Sequence, residues 1–129
     1  MSRASATAQR EEHLDAVFHA LADTTRRRLM ARLSRGSASV TELAAPFSIS
    51  LAAISKHLDV LEHAGVVRRE RDGRFQRCHL TPQALDSAGE FVEHYRSFWE
   101  TSLDQLAEYL EDPHAPSVAR ARSKSGKSP

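Results

Sequence analysis

Five arginines fall within ten residues, Arg68, Arg69, Arg71, Arg74 and Arg77, around an Asp72-Gly73 pair. Guanidinium groups at that density suit phosphates, which they hold through charge-assisted, salt-sensitive contacts. Upstream, Ser50, Leu51, Ala52, Ser55, Lys56 and Asp59 fall on the outward face of the helix expected over residues 51–64. Serine and lysine hydrogen-bond base edges or phosphates, and Leu51 and Ala52 suit thymine methyls. His57 either reaches a phosphate or ties that helix to a neighbour.

Other chemistries find less support. Of seven histidines, no two stand at the i, i+3 or i, i+4 spacing that a helical metal site uses. Asp15/His19 and Glu90/His94 are carboxylate–histidine pairs at i, i+4, read here as solvated ion pairs. The single Cys78 can form neither an internal disulfide nor a thiolate zinc cluster, and reads as a small buried apolar residue. No nucleophile–base spacing, phosphate-cradling glycine loop or metal-hydrolase motif is present. The expectation is no enzyme, no cofactor and no metal site.

Apolar positions Leu14, Val17, Phe18 and Leu21 recur at helical spacing, so a helix is expected over residues 11–22. Asp23 is the expected N-cap of a second helix, with Leu29, Met30 and Leu33 as its apolar stripe and Gly36 as its end. Residues 37–39 read as a linker and Thr41 as the cap of a short third helix. The fourth helix buries Ile54, Leu58 and Leu61 and stops at Gly65. Two strands follow, over residues 66–71 and 75–80, joined at Asp72-Gly73-Arg74. Thr81-Pro82 opens a last helix reaching about residue 111. This order is mainly α with a small β-hairpin, a winged helix-turn-helix. Residues 1–10 are expected to be disordered, 11–111 to form the domain, and 112–129 to be a disordered basic tail. Arg26, in the first turn of its helix, is poorly placed for the helix dipole, so a specific partner such as a carboxylate is expected.

The charge is uneven along 129 residues whose net formal charge is +1. Residues 26–77 carry eleven basic and five acidic side chains, and residues 85–112 carry one basic against eight acidic. A polyanion-facing middle therefore precedes a segment with another task. That last segment carries Phe91, Tyr95, Phe98, Trp99 and Leu106 on one helical face, an aromatic density that suits a subunit interface. No apolar run is long enough to span a membrane and no secretory signal opens the chain, so a reducing cytoplasm is the expected compartment.

Three segments resemble the ArsR/SmtB family of bacterial transcriptional regulators. They are Ala20-Leu21-Ala22-Asp23-x-Thr25-Arg26-Arg27, Thr41-Glu42-Leu43-Ala44, and Ile54-Ser55-Lys56-His57-Leu58-x-x-Leu61-x-x-Ala64-Gly65-Val66-Val67. The resemblance covers about residues 12–110 in family order. It implies a homodimeric repressor on a near-palindromic double-stranded operator, with dimerisation through the first and last helices. By position it assigns DNA contact to Leu51, Ala52, Ser55 and Lys56 and places Arg74 at the wing tip. Ser50, His57 and Arg71 complete the DNA-contacting set read from the chain itself. The dimer interface would use Leu14, Val17, Phe18, Phe91, Tyr95, Phe98, Trp99 and Leu106. The chain departs from the family's metal sensors: Ala44-Ala45 stand where those carry a cysteine pair, and Ser97 follows His94 where a ligand is needed. The effector is left open.

Two further readings stand beside this one. In the first, a metal or small molecule binds between the first and last helices, near His19 or His94, and relieves repression. In the second, the winged helix binds a protein and never DNA, against which the positive wing argues.

Overall fold

Ala4, Ala6, Ala8 and Gln9 are strong helix formers, and they carry the first helix further back than its apolar stripe. The structure, a computed structural model, describes residues 3–111, and side chains from residue 5 onward. Helix α1 spans Arg3–Leu21, so most of the segment expected to be disordered forms its opening turns. The tail expected over residues 112–129 lies outside the described residues; the five helices and the hairpin follow in the expected order, with a short strand and a 3₁₀ turn added.

Helix α2 (Thr24–Leu33) starts at Asp23, whose carboxylate accepts the Arg26 N–H at 3.0 Å. Residues 38–39 are not a linker: Ala38–Ser39 form a short strand, β1. The cap of α3 (Val40–Ala44) is Ser39 rather than Thr41, in a reciprocal capping box with Glu42. Both serine and threonine cap well, so composition alone does not choose between them.

Helix α4 (Leu51–His63) is capped by Ser50, whose hydroxyl accepts the Ala53 N–H. Its far end closes as a Schellman motif. The Val66 N–H donates to the Leu61 carbonyl and the Gly65 N–H to that of Glu62, with Gly65 at φ +78°. Strands β2 (Val67–Asp72) and β3 (Phe75–Leu80) pair antiparallel from Val67↔Leu80 to Asp72↔Phe75. Gly73, at φ +62°, takes the first central position of their two-residue turn, and Arg74 follows at negative φ, the pattern of a II′ hairpin. β1 pairs with the outer side of β3, Ala38 opposite Cys78, giving the sheet order β1-β3-β2. A 3₁₀ turn (Pro82–Leu85) leads into α5 (Asp86–Leu110); Thr81 makes no side-chain cap.

The chain divides into two compact units between Ala88 and Gly89. The first is built on one core. Val17 and Ala20 of α1, Leu29 and Leu33 of α2, Leu43 of α3 and Ile54, Leu58 and Leu61 of α4 are buried there with Val66, Val67 and Cys78. Each leucine or isoleucine so buried contributes roughly 1.5–3 kcal/mol relative to exposure. In the second, the α5 residues Tyr95, Phe98, Trp99, Leu103, Leu106 and Tyr109 are exposed.

Candidate nucleic-acid interface

Burying Ile54, Leu58 and Leu61 fixes the rotation of α4. Leu51, Ala52 and Lys56 then face outward, Leu51 being 53% exposed, while Ser55 is half-buried. Ser50 does structural work as the cap. Lys56 has no ion pair or hydrogen bond among the described residues, and its ammonium is available to an anion.

The hairpin sorts its five arginines into two groups. Arg69 is turned inward: Nε and Nη2 donate to Glu62 Oε1 at 3.1 and 2.8 Å, and Nη2 also pairs with Asp59. Burial works against the charge on Arg69, but the bonds to Glu62 and Asp59 outweigh it and raise its pKa above the ordinary arginine value. Arg77 donates to Asp72 at 3.2 Å and to the Ser37 hydroxyl at 3.3 Å. Arg68, Arg71 and Arg74 are exposed, without ion pairs among the described residues. Wing cations for a polyanion thus number three rather than five.

Between the start of α4 and the wing tip lies a groove of about 430 Å³, lined by Leu51, Ala52 and Ser55 on one side and Arg74, Phe75 and Gln76 on the other. Val40 and Thr41 of α3 also line it. Four expected DNA-contacting residues, Leu51, Ala52, Ser55 and Arg74, therefore share one concave surface. Ser50, Lys56, His57 and Arg71 lie outside its lining. Phe75, 57% exposed, was not singled out from sequence. A phenylalanine opening a strand reads as core, and only the fold, which brings it beside Leu51 and Ala52, shows that it lines the groove.

His57 is tied to its neighbours. Its Nδ1 lies 3.2 Å from Arg26 Nη1 and 3.8 Å from the Asp23 carboxylate. A guanidinium only donates, so Nδ1 is the acceptor and Nε2 carries the proton in this arrangement. This contact ties α4 to α2, one of the two roles expected of His57, and occupies only the Nδ1 edge of the ring. Arg26 has the specific partners expected of it. Instead of a carboxylate it grips the end of α1, Nε donating to the Ala20 carbonyl at 3.0 Å and Nη2 to that of His19 at 2.8 Å. The last carbonyls of a helix lack intrahelical partners, and a buried guanidinium supplies them.

Val17, expected at a dimer interface, is fully buried in the core, and Leu14 and Phe18 are partly buried against it. The α5 residues expected there, Phe91, Tyr95, Phe98, Trp99 and Leu106, are between 41% and 58% exposed. Among the described residues no group of three or more His, Cys, Asp or Glu side chains is placed to hold a metal ion. Cys78 is buried, and burial raises its thiol pKa. No helix among the described residues is long and apolar enough to cross a membrane.

A helix-turn-helix domain model matches residues 21–70. Over 97 residues the chain is 33% identical to the HTH-type transcriptional regulator Rv2034 of Mycobacterium tuberculosis, covering 75% of this chain and 88% of that protein. It is 37% identical over 72 residues to the transcriptional repressor SdpR of Bacillus subtilis, covering 56% and 80% respectively. The crystal structure of an ArsR family transcriptional regulator superposes with a TM-score of 0.66 at 38% identity, over 70% of this chain and 93% of that one.

Proposed function

The chain belongs to the ArsR/SmtB family of winged helix-turn-helix transcriptional regulators, and from that membership we propose that it is a homodimeric repressor that reads operator DNA with the start of α4. The observation that carries this reading is the groove in which Leu51, Ala52 and Ser55 of α4 meet Arg74 of the wing. Helix α4 enters the major groove with its N-terminal end first. Leu51 and Ala52 meet thymine methyls, Ser55 and Lys56 reach base edges or phosphates, and Ser50 holds the helix start. Arg68, Arg71 and Arg74 lie along the adjoining phosphate backbone and supply salt-dependent affinity.

Dimerisation runs through the exposed face of α5. Tyr95, Phe98, Trp99 and Leu106 recur at helical spacing on a face too apolar for solvent alone. A two-fold axis there sets two α4 helices on successive turns of a near-palindromic operator, roughly 34 Å apart. Occupancy of a promoter by such a dimer excludes transcription, the role that the name of the Bacillus subtilis relative gives to that protein. Ala44-Ala45 occupy the cysteine-pair position, so this repressor does not respond to metal through that thiolate site. Its place of action is the cytoplasm, with the DNA.

Fluorescence anisotropy with duplex DNA from upstream of the protein's own gene tests this reading, at about 150 mM salt with a scrambled duplex as control. Binding should be at least ~10³-fold tighter to the native duplex. Lys56→Glu should reduce that preference, and Arg74→Glu should weaken binding to both duplexes alike. Unchanged binding by both variants would remove α4 and the wing from the interface.

A further inference from the structure

Arg28, Arg32 and Arg35 recur at i, i+4 and i+7, the spacing of one helical face. All three line a cleft of about 450 Å³ whose opposite wall includes Glu42, Pro46 and Phe47. The Arg28 guanidinium sits over the Phe47 ring, 4.5 Å from its centroid. Stacking of this kind orients a guanidinium while leaving its N–H donors available. Arg32 is steadied by donating to the Gly36 carbonyl at 3.0 Å. Neither Arg28 nor Arg35 meets a carboxylate among the described residues. Glu42 is the one acid lining this cleft. Its carboxylate is already committed, accepting the Ser39 N–H at 2.9 Å and standing 3.9 Å from Arg77.

Arg32 and Arg35 suit the negative end of α2, where a helix dipole favours cations. That does not account for Arg28, in the middle of the helix, converging on the same cleft. Three cations around one committed acid make a positive concavity, a shape that concentrates anions. The cleft and the reading groove border the same short helix. Glu42 and Leu43 of α3 line the first and Val40 and Thr41 line the second. In a helix-turn-helix this first helix crosses the DNA backbone.

Resting on the DNA-binding reading above, we propose that Arg28, Arg32 and Arg35 form a second phosphate-binding track, holding phosphodiester groups of the operator duplex beside α3. The track is blind to sequence. It adds affinity and salt dependence, and leaves base choice to α4.

The test measures the salt dependence of binding to operator and scrambled duplexes for wild type, Arg35→Gln, and Arg32→Gln/Arg35→Gln, together with phosphate-ethylation interference. Arg10→Gln makes the same charge change as the single variant, on an exposed position of α1. Each phosphate that the protein no longer neutralises lowers the slope of log affinity against log salt by about 0.9. The double variant should have a slope shallower by about 1–2 on both duplexes. Its preference for operator over scrambled DNA should be unchanged, and ethylation of particular phosphates should no longer matter. Thermal melting confirms folding, and the exposed Arg35→Gln keeps the test decisive if the double variant unfolds. An unchanged slope and interference pattern overturns the proposal, as does an equal effect from Arg10→Gln. Intact DNA binding with regulation lost in cells would assign the cleft to an acidic protein surface, and also overturns it. An arginine-dependent slope without any operator preference keeps the track but sinks base reading by α4. Absence of DNA binding by wild type sinks both.

Discussion

Arg69 of β2 donates to Glu62 of α4 through two nitrogens, Nε at 3.1 Å and Nη2 at 2.8 Å, so the wing and the reading helix are joined by a guanidinium. The same Nη2 also pairs with Asp59, one helical turn before Glu62. This arginine is spent on geometry: it holds the wing at a set distance from the helix it flanks.

Asp59→Asn/Glu62→Gln separates that role from simple charge. The double variant makes the protein more positive, which by itself tightens DNA binding. If Arg69 positions the wing, operator affinity falls instead, by about tenfold, equivalent to about 1.4 kcal/mol. Stability should change by no more than about 1 kcal/mol, because both acids are substantially exposed. Anisotropy and thermal melting on the same samples check this, and tighter binding would refute the positioning role.

The exposed α5 face predicts a concentration-dependent dimer. Trp99→Glu places a charge on that face, where Trp99 is 58% exposed in the single chain. Sedimentation velocity should show a dimer for wild type and a monomer for the variant, with far-ultraviolet circular dichroism unchanged. Operator affinity should drop at least ~100-fold, since one half-site then binds without its partner. A wild-type monomer binding the operator at full affinity would exclude dimerisation as the basis of recognition.

Asp23 ties acid stability to the α1–α2 corner. The Arg26 N–H, and then the nearby charge of Arg26, hold its carboxyl below the ordinary carboxylate range. A carboxylate with a depressed folded-state pKa contributes stability above its unfolded pKa and loses it as pH falls through the folded one. Asp23→Ala should therefore lower Tm at pH 7, and the gap to wild type should narrow below about pH 4. A gap constant from pH 7 to pH 3 would show that the charge on Asp23 adds nothing.

Cys78 lies fully buried in the core, with its thiol pKa raised by burial. The thiolate is the reactive form, so the native protein should resist thiol reagents at pH 7 and react promptly in denaturant. Cys78→Ser puts a hydroxyl where a thiol packed, at an expected cost of about 1–3 kcal/mol. Rapid labelling of the native protein would contradict this burial.

Sequence alone determined the features that depend on neighbours along the chain. Asp23 caps α2, Gly65 and Gly73 take left-handed backbone, and Ile54, Leu58 and Leu61 turn inward, leaving Leu51, Ala52 and Lys56 outward. Turns and helical faces are set by a few consecutive residues and a fixed period, so they are legible in one dimension, whereas the choice of Ser39 over Thr41 as a cap was not.

Tertiary structure decided what those residues meet. Five hairpin arginines look alike in the sequence, yet Arg69 and Arg77 find acids while Arg68, Arg71 and Arg74 stay exposed. Ala38–Ser39 became a strand only because β3 lay open beside it, forty residues away. His57 turned to Arg26, Phe75 joined the reading groove, and Arg28 came to rest over Phe47. Side-chain partnership depends on distance in space, and chain folding sets that distance between residues far apart in sequence.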